Sequence, residues 1–177
     1  MSQSQWYVIT GAPSSGKTAI IAQLAKAGYK TTCEAARMII DEGVVQGKTI
    51  EEIRLDESIF QQWVIERSLK TEASLPRNEV IFLDRALPDT LAYYRLAGQD
   101  ISKALLMCQR NFYRKVFCLE LLGFVKDYAR IECGEIMEQL HGFLQEVYGE
   151  LGYEIVLVPV MPIQDRVQFI LDRIDSF

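Results

Sequence analysis

Eight consecutive residues, Gly11-Ala12-Pro13-Ser14-Ser15-Gly16-Lys17-Thr18, match the pattern G-x-x-x-x-G-K-[ST] at every fixed position. A chance match in a chain of this length is expected on the order of one in a hundred at ordinary residue usage. The chemistry follows from the residue types. Glycines permit a tight backbone path whose N–H groups point inward, and a helix beginning inside the motif adds a field favourable to anionic phosphate. Lys17 is expected to reach the β- and γ-phosphates of a nucleoside triphosphate, and the Thr18 hydroxyl to ligate Mg²⁺.

Three further groups of residues are candidates to complete such a site. Val80-Ile81-Phe82-Leu83 runs directly into Asp84-Arg85. An acid at the end of a buried strand is the pattern of a Mg²⁺-directing aspartate, and Arg85 can grip phosphate or a hydroxyl bidentately. The same pair would also suit an ordinary strand-end salt bridge. Glu34 follows the second strand, with Arg37 one helical turn later. Glu34 is the candidate to orient or deprotonate an acceptor hydroxyl; its structural alternative is a helix N-terminal charge paired with Arg37 at i,i+3. Residues 123–132 (GFVKDYARIE) read as a lid between a strand and a helix, from which Arg130 or Lys126 would close on a transferring phosphoryl group, unless they are surface charges. Phe60, Trp63, Tyr93 and Tyr94 could line an acceptor pocket, although aromatics at helical spacing more often belong to a core.

These residues need a scaffold, and the periodicity supplies one. Strands are expected over 6–10, 29–33, 80–83, 115–121 and 153–160. Helices are expected over 17–27 (Ile20, Ile21, Leu24 and Ala25 on one face), 34–45, a long one from Thr49 to before Pro76, then 89–96, 102–110, 133–151 and 164 to the C-terminus. Thr49 with Glu52 has capping-box spacing. Strands alternating with helices imply parallel strands joined by right-handed crossovers. The fold class is therefore α/β, a five-stranded doubly wound sheet, with 1–177 as one domain. Ligands of such sheets sit at the carboxyl ends of the strands, where Asp84 and Glu34 fall.

Composition removes several alternatives. The chain has 177 residues, 49% of them apolar, and carries 19 Lys+Arg against 24 Asp+Glu. A formal charge of -5 argues against a general nucleic-acid or membrane-surface binder. One histidine, His141, leaves little scope for a His-rich metal site or a Ser–His–Asp triad, and it is expected on a helix surface. No two of Cys33, Cys108, Cys118 and Cys133 have C-x-x-C spacing, so reduced thiols acting as small apolar residues are expected. No signal peptide or spanning segment is visible, and a cytoplasmic protein is expected. The chain has no N-K-x-D motif and no aspartate followed three residues later by glycine, which weakens a GTPase-type switch. A ring-forming mechanochemical ATPase is disfavoured, because one strand and its two flanking helices are all that is expected after the lid.

Several blocks together resemble a known family: the P-loop kinase-like AAA domain found in the ribosylnicotinamide-kinase half of the bacterial NAD-repressor protein and in related bacterial ATPases. The blocks are Ile9 through Thr18, Tyr29, Glu34-Ala35-Ala36-Arg37, Phe82-Leu83-Asp84-Arg85 with Asp89 and Tyr93, Arg130-Ile131-Glu132, Tyr148, Leu151-Gly152-Tyr153, Val158-Pro159-Val160 and Arg166-Val167. The resemblance covers almost the whole chain. It implies a strand order of 2-3-1-4-5, ATP and Mg²⁺ as ligands, and a kinase-like site with Lys17, Glu34, Asp84, Arg85 and Arg130 as its working residues. It does not extend to an acceptor: no DNA-binding or adenylyl-transfer domain and no acceptor signature is recognisable. Two expectations remain: a kinase acting on a small nucleoside- or nucleotide-like molecule, or an ATP-hydrolysing regulatory module acting on a protein partner, with self-association possible in either case.

Overall fold

A computed structural model of the chain describes residues 4–108, 113–122 and 128–174, with the backbone alone described at 128–133. Five parallel strands form one sheet: β1 (Trp6–Thr10), β2 (Lys30–Thr31), β3 (Ile81–Asp84), β4 (Lys115–Leu119) and β5 (Ile155–Val158), in the order β2-β3-β1-β4-β5. The 2-3-1-4-5 order implied by the resemblance is observed. The described helices are α1 (Lys17–Lys26), α2 (Ala35–Val45), α3 (Ile50–Ile53), α4 (Glu57–Ser74), α5 (Asp89–Leu96), α6 (Ser102–Cys108), α7 (Tyr128–Glu150) and α8 (Ile163–Leu171).

The central strands are apolar at consecutive positions because both of their faces are covered. Trp6, Val8, Ile81, Leu83 and Val116 face a core packed by α5, α6 and α7. Tyr7, Ile9, Phe82, Phe117 and Leu119 face the opposite core, closed by Ile20, Ile21 and Leu24 of α1 and Ile170 of α8. Ala25, expected on the buried face of α1, is exposed. Register places the functional ends together: Ile9 lies opposite Asp84, and Thr10 opposite Cys118.

Two helices differ from expectation. The long helix starting at Thr49 is divided. Thr49 and Glu52 form the capping box, with Thr49 N–H donating to Glu52 Oε2 at 2.8 Å and Glu52 N–H to Thr49 Oγ1 at 3.2 Å. That helix nevertheless ends at Ile53, because Asp56 starts another by accepting the Ile59 N–H at 3.0 Å. A second N-cap acid inside an apolar period overrides the period. The expected lid at 123–132 is also shortened: 128–132 are the first turn and more of α7. Residues 123–127, Lys126 among them, lie outside the described residues. Edge strand β2 spans two residues rather than five, and β4 and β5 are shorter at their ends than their apolar runs.

Candidate active site

The phosphate loop lies between β1 and α1. Gly11 has φ 142°, and a Cβ there would lie 2.8 Å from Ser15 Oγ and 2.9 Å from the Leu119 carbonyl, so only glycine fits. Gly16 caps α1 at φ 93°, and the first turn of α1 contains no acid to compete for its field. Lys17 is buried. Its ammonium donates to the Ala12 carbonyl at 2.8 Å and to Ser15 Oγ at 3.3 Å. Burial, reinforced by the nearby Arg85 charge, lowers the Lys17 pKa to about 8. An ammonium held this way gains from an anion.

Asp84 ends β3 beside this loop. Its N–H donates to Thr32 Oγ1 at 3.1 Å, while its carboxyl Oδ1 is buried without a hydrogen-bond partner. Burial, then the neighbouring Glu34 charge, raises the Asp84 pKa to about 6. An orphaned carboxylate oxygen lining the same cleft as Thr18 fits a hard cation, for which oxygen ligands are the natural donors. Among the described residues no group of three His, Cys, Asp or Glu side chains could hold a metal alone. Thr18 and Asp84 are therefore the residues that would hold Mg²⁺, with the remaining ligands supplied by water and nucleotide phosphates.

Arg85 does not pair with Asp84. Its Nε–H donates to Glu34 Oε1 at 2.7 Å and its Nη1–H to Asp89 Oδ1 at 2.9 Å, and its Cζ sits 5.5 Å from the centre of the Tyr93 ring. Burial works against this charge, and Tyr93, Asp89 and Glu34 outweigh it, raising the pKa above its ordinary value. Glu34, at the N-cap of α2, thus has Arg85 as its ion-pair partner rather than Arg37. Arg37 is exposed, lines the cleft and makes no ion pair among the described residues.

One cleft of about 590 Å³ unites these groups. Gly16, Lys17 and Thr18 form one end. Glu34, Asp84 and Arg85 form its middle. Beyond them a chamber opens between α2, α4 and α5, walled by Phe60, Gln61, Val64, Thr71 and Tyr93. Pro13 and Ser14 line the cleft, whereas Gly11, Ala12 and Ser15 are buried behind it. Of the four candidate aromatics, Phe60 and Tyr93 reach the cleft. Tyr94 is in the core, and Trp63 is on the far side of α4, 43% exposed. The reason is the turn of the helix: Phe60 stands at one margin of the stripe Phe60, Gln61, Val64, Ser68 and Thr71 that α4 turns to the cleft, so Trp63 falls past its edge, and Tyr94, next to Tyr93 in α5, turns away from the cleft. Arg130 falls in the first turn of α7, and its side chain is outside the described residues.

Two other residues depart from their sequence readings. Cys33 is exposed and lines the cleft, while Cys108 and Cys118 are buried, each thiol pushed up to about 12 by burial. His141 is half-buried rather than on the surface. Its Nδ1 lies 3.8 Å from Cys118 Sγ, since that face of α7 packs on β4, and burial lowers its pKa.

Three buried residues shape this site without a role assigned to them from the sequence, where Asp89 and Arg166 figure only in the blocks of the resemblance and Glu72 carries no motif. Asp89 accepts Thr10 Oγ1–H at 2.6 Å as well as Arg85, Glu72 accepts the Leu87 N–H at 3.1 Å, and Arg166 donates to the Ser15 carbonyl at 2.7 Å. A charged residue inside an otherwise apolar helical face was the available signal for Glu72 and Arg166.

A phosphate loop and a carboxylate on the adjacent strand, on a parallel sheet ordered 2-3-1-4-5, give the fold of P-loop kinases. The chain belongs to the AAA domain family, which it matches over residues 6–166. Among solved structures, thymidylate kinase from Ehrlichia chaffeensis is similar at TM-score 0.72 and 14% identity, over 98% of this chain and 100% of that one. Deoxyadenosine kinase from M. mycoides is similar at TM-score 0.64 and 17% identity, over 95% and 97% of the two chains. The NadR protein in complex with NR is similar at TM-score 0.68 and 16% identity; the match covers 98% of this chain and 52% of NadR. These likenesses establish the shared fold. A comparison with curated proteins finds no match. Among the described residues no helix is long and apolar enough to cross a membrane.

Proposed function

We propose that this protein is a Mg·ATP-dependent kinase that transfers the γ-phosphoryl group to a small nucleoside- or nucleotide-like acceptor. The observation that carries this reading is the continuity of the cleft: the phosphate loop opens through Glu34, Asp84 and Arg85 into a chamber with an aromatic and polar lining. An ATP hydrolase needs room for one water beside the phosphates, whereas this cleft of about 590 Å³ continues past them into an aromatic and polar lining, which favours a small-molecule acceptor. The neighbours that share the fold are themselves nucleoside and nucleotide kinases.

ATP phosphates would displace the Lys17 ammonium from the Ala12 carbonyl and take its positive charge. Bound Mg²⁺, held by Thr18 and Asp84, would neutralise phosphate charge. Glu34 orients the acceptor hydroxyl and takes its proton as the oxygen attacks the γ-phosphorus. The bond from that phosphorus to the β-bridging oxygen then breaks, and ADP leaves. Arg85 and, from the start of α7, Arg130 supply positive charge to the transferring group.

The test is ADP release from Mg·ATP in the presence of a panel of nucleosides, nucleotides and vitamins. Stimulation of at least ~10²-fold by one of them is the expected result. Slow hydrolysis that no acceptor stimulates would instead identify an ATP-driven regulatory module.

A further inference from the structure

The loop at 85–88, between β3 and α5, holds Arg85 at φ 63°. A non-glycine residue adopts this conformation only when its surroundings over-determine it. Two buried carboxylates do so here. Asp89 Oδ2 accepts the Ala86 N–H at 3.2 Å and the Tyr148 hydroxyl at 2.6 Å, and Oδ1 accepts the Thr10 hydroxyl and the Arg85 Nη1–H. Glu72 of α4 accepts the next N–H, that of Leu87, on Oε1, and the Tyr113 hydroxyl lies 3.0 and 2.9 Å from its two oxygens. Consecutive N–H groups of one loop are thus gripped by carboxylates from two helices, each backed by a tyrosine that is at most 1% exposed.

Burying a carboxylate costs free energy unless hydrogen bonds replace its water, and an apolar side chain would serve the core at lower cost. Asp89 has four donors on its two oxygens, so its acceptor capacity is filled within the protein. It has none left for a substrate, although it lies at the cleft wall. What the arrangement holds in place is Arg85. With Nε given to Glu34 and Nη1 to Asp89, the guanidinium edge carrying Nη2 has no partner among the described residues and remains for a ligand.

We propose that Asp89 and Glu72, each with its tyrosine (Tyr148 and Tyr113), are positioning residues that fix the Arg85 loop and aim the guanidinium at the transferring group. This rests on the kinase reading above for the identity of that group. The coupling also ties α7, through Tyr148, to the acceptor side of the cleft.

The experiment compares Asp89→Asn, Glu72→Gln, Tyr148→Phe and Tyr113→Phe with the wild type by steady-state kinetics on the stimulating acceptor and by ¹⁵N NMR of the Arg85 Nε–H. Misplacing a reacting contact by ~1 Å costs about 10²-fold, so Asp89→Asn and Glu72→Gln should lower kcat by about that factor, with KM for ATP changed by less than about 2-fold. Tyr148→Phe and Tyr113→Phe, each of which removes one hydroxyl, should lower kcat by about 10-fold. The Arg85 Nε–H signal should exchange faster with water in all four. Unchanged kcat in variants that fold would overturn the proposal, as would equal losses in kcat and ATP affinity, the signature of general unfolding. If either carboxylate variant fails to fold, its tyrosine variant decides by the same two readouts. If no acceptor stimulates the wild type, the kinase reading has failed. The NMR signal then decides alone: faster exchange in the variants supports positioning, and an unaltered signal refutes it.

Discussion

Arg166 on α8 donates its Nη1–H to the carbonyl of Ser15 at 2.7 Å, joining the last helix to the phosphate loop across 151 residues of chain. Its Nε–H goes to the Pro159 carbonyl at 2.9 Å, and Gly16 leaves room for the guanidinium, with Nη1 3.5 Å from where a Cβ would stand. The residue is 2% exposed. A planar fork satisfies two carbonyls at once, which a lysine ammonium at the end of a flexible stem cannot reproduce. Arg166→Ala should therefore destabilise the protein by about 2–3 kcal/mol and weaken nucleotide binding, with little rescue by Arg166→Lys. Denaturant unfolding and ATP titration calorimetry check both; an Arg166→Lys variant with wild-type behaviour would show that charge alone suffices.

Lys17 donates to the Ala12 carbonyl and to Ser15 Oγ at the start of α1. Lys17→Ala should raise the Kd for Mg·ATP by about 10- to 10²-fold, the value of a charge-assisted hydrogen bond in a shielded site. Calorimetric titration measures it. Unchanged affinity would remove the nucleotide from this loop.

Glu34 faces Arg85 and the cleft at the same time. In Glu34→Gln the amide oxygen still accepts the Arg85 Nε–H, so the loop geometry persists while the proton acceptor is lost. Transfer to the acceptor should slow by about 10²-fold or more with ATP affinity unaltered. A transfer rate equal to wild type would leave Glu34 with a structural role only.

Asp84 and Lys17 make the ligand-free protein respond to pH in a specific way. The Asp84 carboxyl is raised from 3.8 to about 6 in the fold, so the folded state binds more protons than the unfolded one between those values. Its contribution is present below pH 3.8 and is lost as pH rises through about 6, a change of about 3 kcal/mol at most. Lys17, lowered from 10.5 to about 8, acts in the opposite range: its contribution is present above pH 10.5 and is lost as pH falls through about 8. Asp84→Asn should therefore be more stable than wild type at pH 7 and lose the decline between pH 4 and 6. Denaturant unfolding without nucleotide or metal gives the comparison; parallel pH curves for the two proteins would contradict it.

The phosphate loop was legible because its information is local. Eight adjacent residues set their own backbone path, and the strand before and the helix after follow from apolar period and glycine placement. Asp84 and Glu34 were equally accessible, since residues at the carboxyl end of parallel strands share one edge whatever the side chains do. The division at Asp56 was harder to see. Its carboxylate caps a new helix inside an apolar period, and local hydrogen bonding won over periodicity. The aromatics divided for a geometric reason: composition says that Phe60, Trp63, Tyr93 and Tyr94 are large and apolar, but only the rotation of α4 and α5 decides which reach the cleft.

What required the folded chain is the set of long-range contacts to buried charge. Glu34 with Arg85 spans 51 residues, Tyr113 with Glu72 41, Tyr148 with Asp89 59 and Ser15 with Arg166 151. No period or motif encodes such pairings. They form where packing brings distant elements together and excludes water, because a buried carboxylate or guanidinium must find donors or acceptors within the protein. The order of residues along the chain settled the type of sheet and the phosphate loop, whose physics is local backbone geometry; the partner of each buried charge was settled by which helices the folded sheet could bring within hydrogen-bonding distance.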